Sequence, residues 1–230
     1  MSDRPSSSEP RQRYRFVVAR SADAPALGQR EAADAWTAAI DSAGLPVAGT
    51  DGEKPRPRIS FGAPLPVGMA AEAELIDVVL LERWPAWRVR EALDGRLPEG
   101  WRLVELQDVW LAGPPLAGRV AAADYRIELA GSPDTAALAS AAHELLGARS
   151  IMRERPKGAA TVRYDLRPLL VDVRVELKPT PVVLTRTRFH PELGTGRPEE
   201  VLAALSDRVS TPLEVRSIVR ERLLLVDELD

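Results

Sequence analysis

From Arg13 to Trp110 the apolar residues change period in a fixed order, and that order restricts the chain to a strand, helix, strand, strand, helix, strand unit. The run RYRFVVAR at Arg13 to Arg20 reads as a strand. Between Glu31 and Ala43 the residues Ala32, Trp36, Ala39, Ile40 and Ala43 recur at three and four positions, the face of a helix, and Gly44 is placed to end it. TDGEKPRP at Thr50 to Pro57 is loop chemistry, because Pro55 and Pro57 lack a backbone donor. Strands follow at Arg58 to Ala63 and Glu72 to Glu82, separated by the turn-forming PLPVG. A second helix from Trp87 to Leu97 and a last strand, Trp101 to Trp110, complete the unit. This is the split βαβ order of ferredoxin-like folds.

A comparable order starts again past Gly113, Pro114 and Pro115. A strand at Tyr125 to Ala130 leads to a helix from Asp134 to Leu146, capped at Ser132 or Asp134, with Leu138, Ala142 and Leu145 on one stripe. In Val171 to Lys178 the residues Val171, Val173, Val175 and Leu177 alternate with charges, so one face is dry and the other wet. Thr180 and Pro181 turn it into a strand at Val182 to Arg188. A helix at Pro198 to Val209 and a strand at Arg216 to Val226 follow. The expected class is α+β, with two tandem ferredoxin-like (βαββαβ) units at residues 13–112 and 118–230, preceded by a disordered tail at residues 1–12.

The 230 residues suffice for two self-sufficient cores, and 45% hydrophobic with 28% charged residues is an ordinary globular balance. With no cysteine the chain has no disulfide, thiolate nucleophile, thiolate zinc site or cysteine-ligated iron–sulfur cluster of its own. No metal or cofactor is expected within it. Met1 to Gln12 is polar without an apolar run, and no stretch approaches the roughly 20 apolar residues of a membrane span. The cytoplasm is the expected location. A net charge of −3 gives no global attraction to nucleic acid, so local patches must carry any such argument.

Two segments carry a family resemblance. AGLPVAGTDGEKPRPRISFGAPLPVG at Ala43 to Gly68 pairs an Ala-Gly-Leu-Pro helix end with Ile-Ser-Phe and Leu-Pro-x-Gly, and RPKGAATVRYDLRPLL at Arg155 to Leu170 pairs Lys-Gly with Asp-hydrophobic-Arg-Pro. In both, the chain resembles the radical SAM-linked family of uncharacterised bacterial proteins. The resemblance implies a separately encoded radical SAM protein as partner and points toward RNA. Members usually carry a Ser-His-x-Asp cluster at the start of the first helix and a Pro-His-Pro; here Gly28, Gln29, Arg30 and Glu31, and Pro55, Arg56 and Pro57, stand in those places.

Arg149, Arg153, Arg155, Lys157, Arg163 and Arg167 face only Glu154 and Asp165 within Arg149 to Arg167. The candidate RNA- or partner-binding set is Lys54, Arg56, Arg58, Arg153, Arg155, Lys157, Arg163, Asp165 and Arg167, lining one cleft between the units. The competing reading of the same charges is a solvated strand edge. Asp165 and Arg167 flank Leu166 and form either a structural ion pair or a substrate clamp.

The two histidines divide similarly. His143 is a boundary residue of the third helix or a general base; His190 precedes Pro191 in FHPELGTGRP, either a plain connection or a phosphate-binding loop with Gly194, Gly196 and Arg197 ahead of a helix. Trp36 and Trp101 fall on apolar faces, whereas Trp84 and Trp87 suit either rim packing or an exposed edge. There is no P-loop, dinucleotide fingerprint, zinc spacing or nucleophile elbow. The leading expectation is a non-catalytic accessory protein that works with a radical SAM enzyme and binds RNA. A metal-independent RNA-processing enzyme and a diverged binding module are the alternatives.

Overall fold

The computed structural model describes residues 9–50, 53, 55–157, 160–177 and 180–229, without side chains at 156, 157, 160 and 177. The chain divides into two compact units, Met1–Arg119 and Val120–Asp230. The class is mixed α+β, with predominantly antiparallel strands and, among the described residues, four α-helices.

The first unit runs β1 (Gln12–Arg20), α1 (Gln29–Ser42), β2 (Ile59–Phe61), β3 (Ala70–Leu80), α2 (Ala86–Leu93) and β4 (Trp101–Val109). Its strands lie in the order β2-β3-β1-β4, and every neighbouring pair is antiparallel. Alternation along β1 sends Tyr14, Phe16 and Val18 into the core, where Phe16 sits opposite Ile76 and Tyr14 opposite Val78 of β3. Trp36 and Ile40 of α1 and Val89 and Leu93 of α2 close the same core. Each such side chain contributes about 1.5–3 kcal/mol by leaving water.

Several boundaries differ from the sequence reading: β3 lies two residues earlier than expected, the strand expected from Tyr125 starts at Val120, the units divide between Arg119 and Val120, and two further shifts bear on the core. Gln12 is the first residue of β1, buried and hydrogen-bonded through its amide to Asp108, so the expected tail does not include it; residues 1–8 lie outside the described residues. The second helix stops at Leu93, because Gly95 takes a positive φ of 67°, and Leu97 joins the core from the following turn.

The second unit runs β5 (Val120–Leu129), α3 (Thr135–Gly147), β6 (Met152–Lys157), β7 (Ala160–Asp165), β8 (Leu170–Leu177), β9 (Pro181–His190), β10 (Gly194–Thr195), α4 (Pro198–Val209) and β11 (Val215–Leu225). Its sheet has β8 and β10 on β9, then β5, then β11, all antiparallel. Leu138, Ala142 and Leu145 of α3 pack with Val201 and Leu205 of α4 on Ile127, Val173 and Val183 of the sheet. Asp134 caps α3 by accepting from the N–H groups of Ala136 and Ala137, both at 3.0 Å.

β6 and β7 form a separate two-stranded antiparallel hairpin between α3 and β8 that the periodicity does not announce. Among the described residues no helix is long and apolar enough to cross a membrane.

Candidate functional site

The basic segment becomes the β6–β7 hairpin, and its charges separate into four groups by what they touch. Arg153 lies on the half-buried face and donates to Glu200 at 3.2 Å and to Asp207, both on α4. Arg163 sits opposite Glu154 on the exposed face and pairs with it at 3.3 Å. Arg167 donates to the carbonyls of Leu146, Ala148 and Leu170, closing the end of α3 onto the start of β8. Asp165 accepts at one carboxylate oxygen from the backbone N–H groups of Ile151, at 2.7 Å, and Arg167, at 2.9 Å. Burial acts to raise the Asp165 pKa, and these N–H groups outweigh it, holding the carboxyl below its ordinary value. Asp165 and Arg167 thus brace the hairpin base through backbone bonds, with no ion pair between them among the described residues.

Arg155 is different. Its guanidinium carbon lies 4.8 Å from the centre of the Tyr164 ring, a cation–π contact, and it reaches Gly194 of the loop leading to α4. Tyr164 is half-buried; burial, with the Glu200 carboxylate beside it, pushes its hydroxyl up to about 12. Arg188 and Arg197 are exposed on either side of that loop, joined where the Gly196 N–H donates to the Arg188 carbonyl at 2.9 Å. Arg155, Arg188 and Arg197 have no acidic partner among the described residues, and exposed Arg149 has none either. Two segments that the sequence kept apart, the hairpin and FHPELGTGRP, therefore meet at one corner of the second unit.

The loop itself is no phosphate cradle. His190 Nδ1 accepts from the N–H groups of Glu192 and Leu193 at 3.2 and 3.1 Å, Gly196 bonds Arg188, and Glu200 of the first turn of α4 already faces Arg153. Gly196 is required for packing: a Cβ there would meet the Leu169 carbonyl and Thr187 Cβ, each at 2.8 Å. His143 is exposed on α3.

In the first unit, Arg56 and Arg58 are exposed, and Lys54 lies outside the described residues, as does the side chain of Lys157. The Arg56 N–H donates to Thr50 Oγ1 at 3.0 Å, and the Arg58 N–H to the Ala48 carbonyl at 2.8 Å, which ties the proline loop to the chain after α1. Sequence reasoning missed two buried charge clusters here. Arg13 and Arg15 both bind Asp77, Arg15 Nε at 2.8 Å, and Arg13 also donates to the carbonyls of Gly113 and Pro114. Arg20 and Glu74, each 5% exposed, lie at the end of the helix-facing side of the sheet, beside Trp36 and Trp101. Strand periodicity could have flagged Glu74, since Glu74, Ile76, Val78 and Leu80 share one face of β3 and only Glu74 is charged. Trp84 is half-buried under the Arg88 guanidinium at 3.7 Å, and Trp87 is 66% exposed. Among the described residues no three His, Asp or Glu side chains converge as metal ligands.

The profile of a family described as uncharacterized protein conserved in bacteria (DUF2344) matches residues 13–208. The chain belongs to this family. That description names no partner and no radical SAM link. No curated protein matches the DUF2344 chain. Among solved structures it is similar to a Cbf5-Nop10-Gar1 complex, at 11% identity over 90% of this chain and 49% of that chain, with a TM-score of 0.48. It is also similar to an archaeal box H/ACA sRNP Nop10-Cbf5 complex, at 10% identity over 89% of this chain and 47% of that one, with a TM-score of 0.41. The DUF2344 chain thus spans about half the length of the solved chains it matches.

Proposed function

We propose that this DUF2344 protein is an RNA-binding accessory protein, not itself a catalyst, that holds single-stranded RNA on the corner of its second unit. The carrying observation is Arg155 set against the Tyr164 ring and reaching Gly194, in a loop whose two ends carry exposed Arg188 and Arg197, with no acidic partner on any of the three among the described residues. Unpaired guanidiniums release counterions when they meet phosphates, and an arginine–aromatic pair offers a flat, cationic platform to an unstacked base. Of the sequence candidates, Arg155 is the one this reading puts on the surface. Arg153, Asp165 and Arg167 support it from within, whereas Arg163 pairs with Glu154 on the exposed face of the hairpin.

Each unit is read as ferredoxin-like. The order β2-β3-β1-β4 with α1 and α2 after β1 and β3, and the order β8-β9-β5-β11 with α3 and α4 after β5 and β9, support tandem copies of one topology, the second carrying the inserted hairpin. A radical SAM protein as working partner rests on the two sequence motifs alone.

The test is a pull-down of the tagged protein from its own cells at low salt, with bound RNA sequenced and bound protein identified by mass spectrometry. The reading expects a defined RNA that is lost with Arg155→Ala, and a radical SAM protein among the captured chains. Recovery of no RNA above a mock-tag control overturns the RNA reading, and recovery of RNA without a radical SAM protein overturns the partner.

A further inference from the structure

The turn between β9 and β10 leaves one ring nitrogen unused beside the Arg155 corner. His190 ends β9, and its Nδ1 accepts from the N–H groups of Glu192 and Leu193 at 3.2 and 3.1 Å. Accepting from N–H groups two and three residues ahead is ordinarily the work of an Asp, Asn, Ser or Thr oxygen. A histidine in that place closes the turn with Nδ1 and brings a second nitrogen besides. Because two donors face Nδ1, that nitrogen is the bare one, and the ring proton sits on Nε2. Nε2 has no partner among the described residues and is not shielded from solvent. His190 therefore offers an N–H donor that the fold does not use.

The surroundings define its acceptor. His190 is the register partner of Gly194, and Arg155 Nη2 comes within 3.4 Å of where a Cβ on Gly194 would stand, so the guanidinium touches the residue that faces the imidazole's own position. Arg188, two residues back on β9, projects from the same side of the strand, opposite to buried Thr187. The Glu192 carboxylate, exposed on the turn, forms no ion pair with the ring among the described residues. The turn is also held in place: the Gly196 N–H donates to the Arg188 carbonyl and the Thr187 hydroxyl to the Gly196 carbonyl, both at 2.9 Å. A fixed donor among cations that lack acidic partners suits an anionic oxygen, and little ordering has to be paid for on binding.

We infer that His190 is a further RNA-contacting residue, its Nε2–H donating to a phosphate oxygen of the strand that Arg155 and Arg188 engage. The inference rests on the RNA reading of that corner and adds to it a contact of another kind. A neutral donor displaces no counterion, so it adds affinity without adding to the salt dependence, as the arginines do.

Two titrations of the full chain with single-stranded RNA test it: one follows the imidazole signals of ¹⁵N-histidine-labelled protein, the other fluorescence anisotropy at several salt concentrations. The chain has two histidines, and His143→Gln, on exposed α3 surface, assigns the signals of His190. The Nε2-protonated tautomer is expected in the free protein, with its Nε2–H signal shifting as RNA is added. His190→Asn keeps an oxygen to close the turn and drops the second nitrogen. It is expected to retain thermal stability, to raise Kd roughly three- to tenfold alike on oligo(U), oligo(C) and oligo(A), and to leave the salt slope unchanged, whereas Arg155→Ala shrinks that slope by about 0.7. A proton on Nδ1, an Nε2–H signal unmoved at saturating RNA, wild-type affinity in His190→Asn, or a loss confined to one base overturns the inference while the RNA reading stands. Absence of RNA binding by the wild type overturns both.

Discussion

Asp77 offers the sharpest stability test of the first unit. Its carboxylate is 2% exposed and accepts from Arg13 and Arg15, both at 6%. Asp77→Ala leaves two buried guanidiniums facing each other without a counter-ion. Removing one partner of a buried charge pair costs about 3–5 kcal/mol, and with a second cation present the upper half of that range is expected. For a domain of this size that is a fall in Tm of roughly 10–15 °C. The two arginines are not equivalent. Arg15 has Asp77 as its partner, so Arg15→Met leaves the carboxylate still held by Arg13 and costs about 1–2 kcal/mol. Arg13 also ties down the Gly113 and Pro114 carbonyls, so Arg13→Met costs more than Arg15→Met. Urea unfolding followed by tryptophan fluorescence should rank the losses as Asp77→Ala, Arg13→Met, Arg15→Met. An Asp77→Ala variant within 1 kcal/mol of wild type, or an Arg15→Met loss equal to that of Asp77→Ala, refutes the assignment of Asp77 as the shared counter-ion.

Further outcomes follow from single contacts. Asp134→Ala removes the α3 cap and should cost about 1 kcal/mol by urea midpoint, with Asp134→Ser restoring most of it. For Asp124, burial acts to raise the pKa but Arg186 and Arg222 outweigh it, so the folded value is depressed. Its contribution is therefore present above an unfolded value of about 3.9 and lost as pH falls through the lower folded value. Asp124→Asn should flatten the decline in stability between about pH 5 and pH 2, measured as urea midpoint against pH; an unchanged acid limb contradicts the pairing. Gly196→Ala should lower Tm by several degrees, since the new methyl meets backbone at 2.8 Å, whereas Gly147→Ala, with open space around it, should not.

Much of the element order is legible because it rests on local periodicity. β1, β4, α4 and β11 announce themselves by alternation or a 3.6-residue stripe, and Gly44 marks a helix end by its positive φ of 65°. The β6–β7 hairpin does not, because MRERPK has no apolar alternation and its anchors, Ile151 and Leu166, stand outside both strands. The basic segment misleads in the same way. Counting charge along the chain cannot reveal that Glu200 and Asp207, more than forty residues on, neutralise Arg153, or that Arg167 spends its donors on three carbonyls. An aromatic pocket in the first unit draws Trp36, Phe61, Glu74 and Trp101 from four separate elements, so no local pattern contains it. The start of α1 and the Leu-Pro-x-Gly turn meet at that pocket, which only the folded chain shows.

The central claim is that unpaired guanidiniums at the corner of β6–β7 and the loop before α4 hold single-stranded RNA. Its most direct test is a fluorescence-anisotropy titration of a labelled single-stranded RNA of mixed sequence at several salt concentrations, with wild type, Arg155→Ala, Arg188→Ala and Arg163→Ala. The account predicts that log K falls linearly with log salt, and that Arg155→Ala and Arg188→Ala each shrink the slope by about 0.7. Arg163→Ala, whose charge Glu154 already balances, should leave it nearly unchanged. No binding at 50 mM salt, or equal losses from all three substitutions, would contradict it.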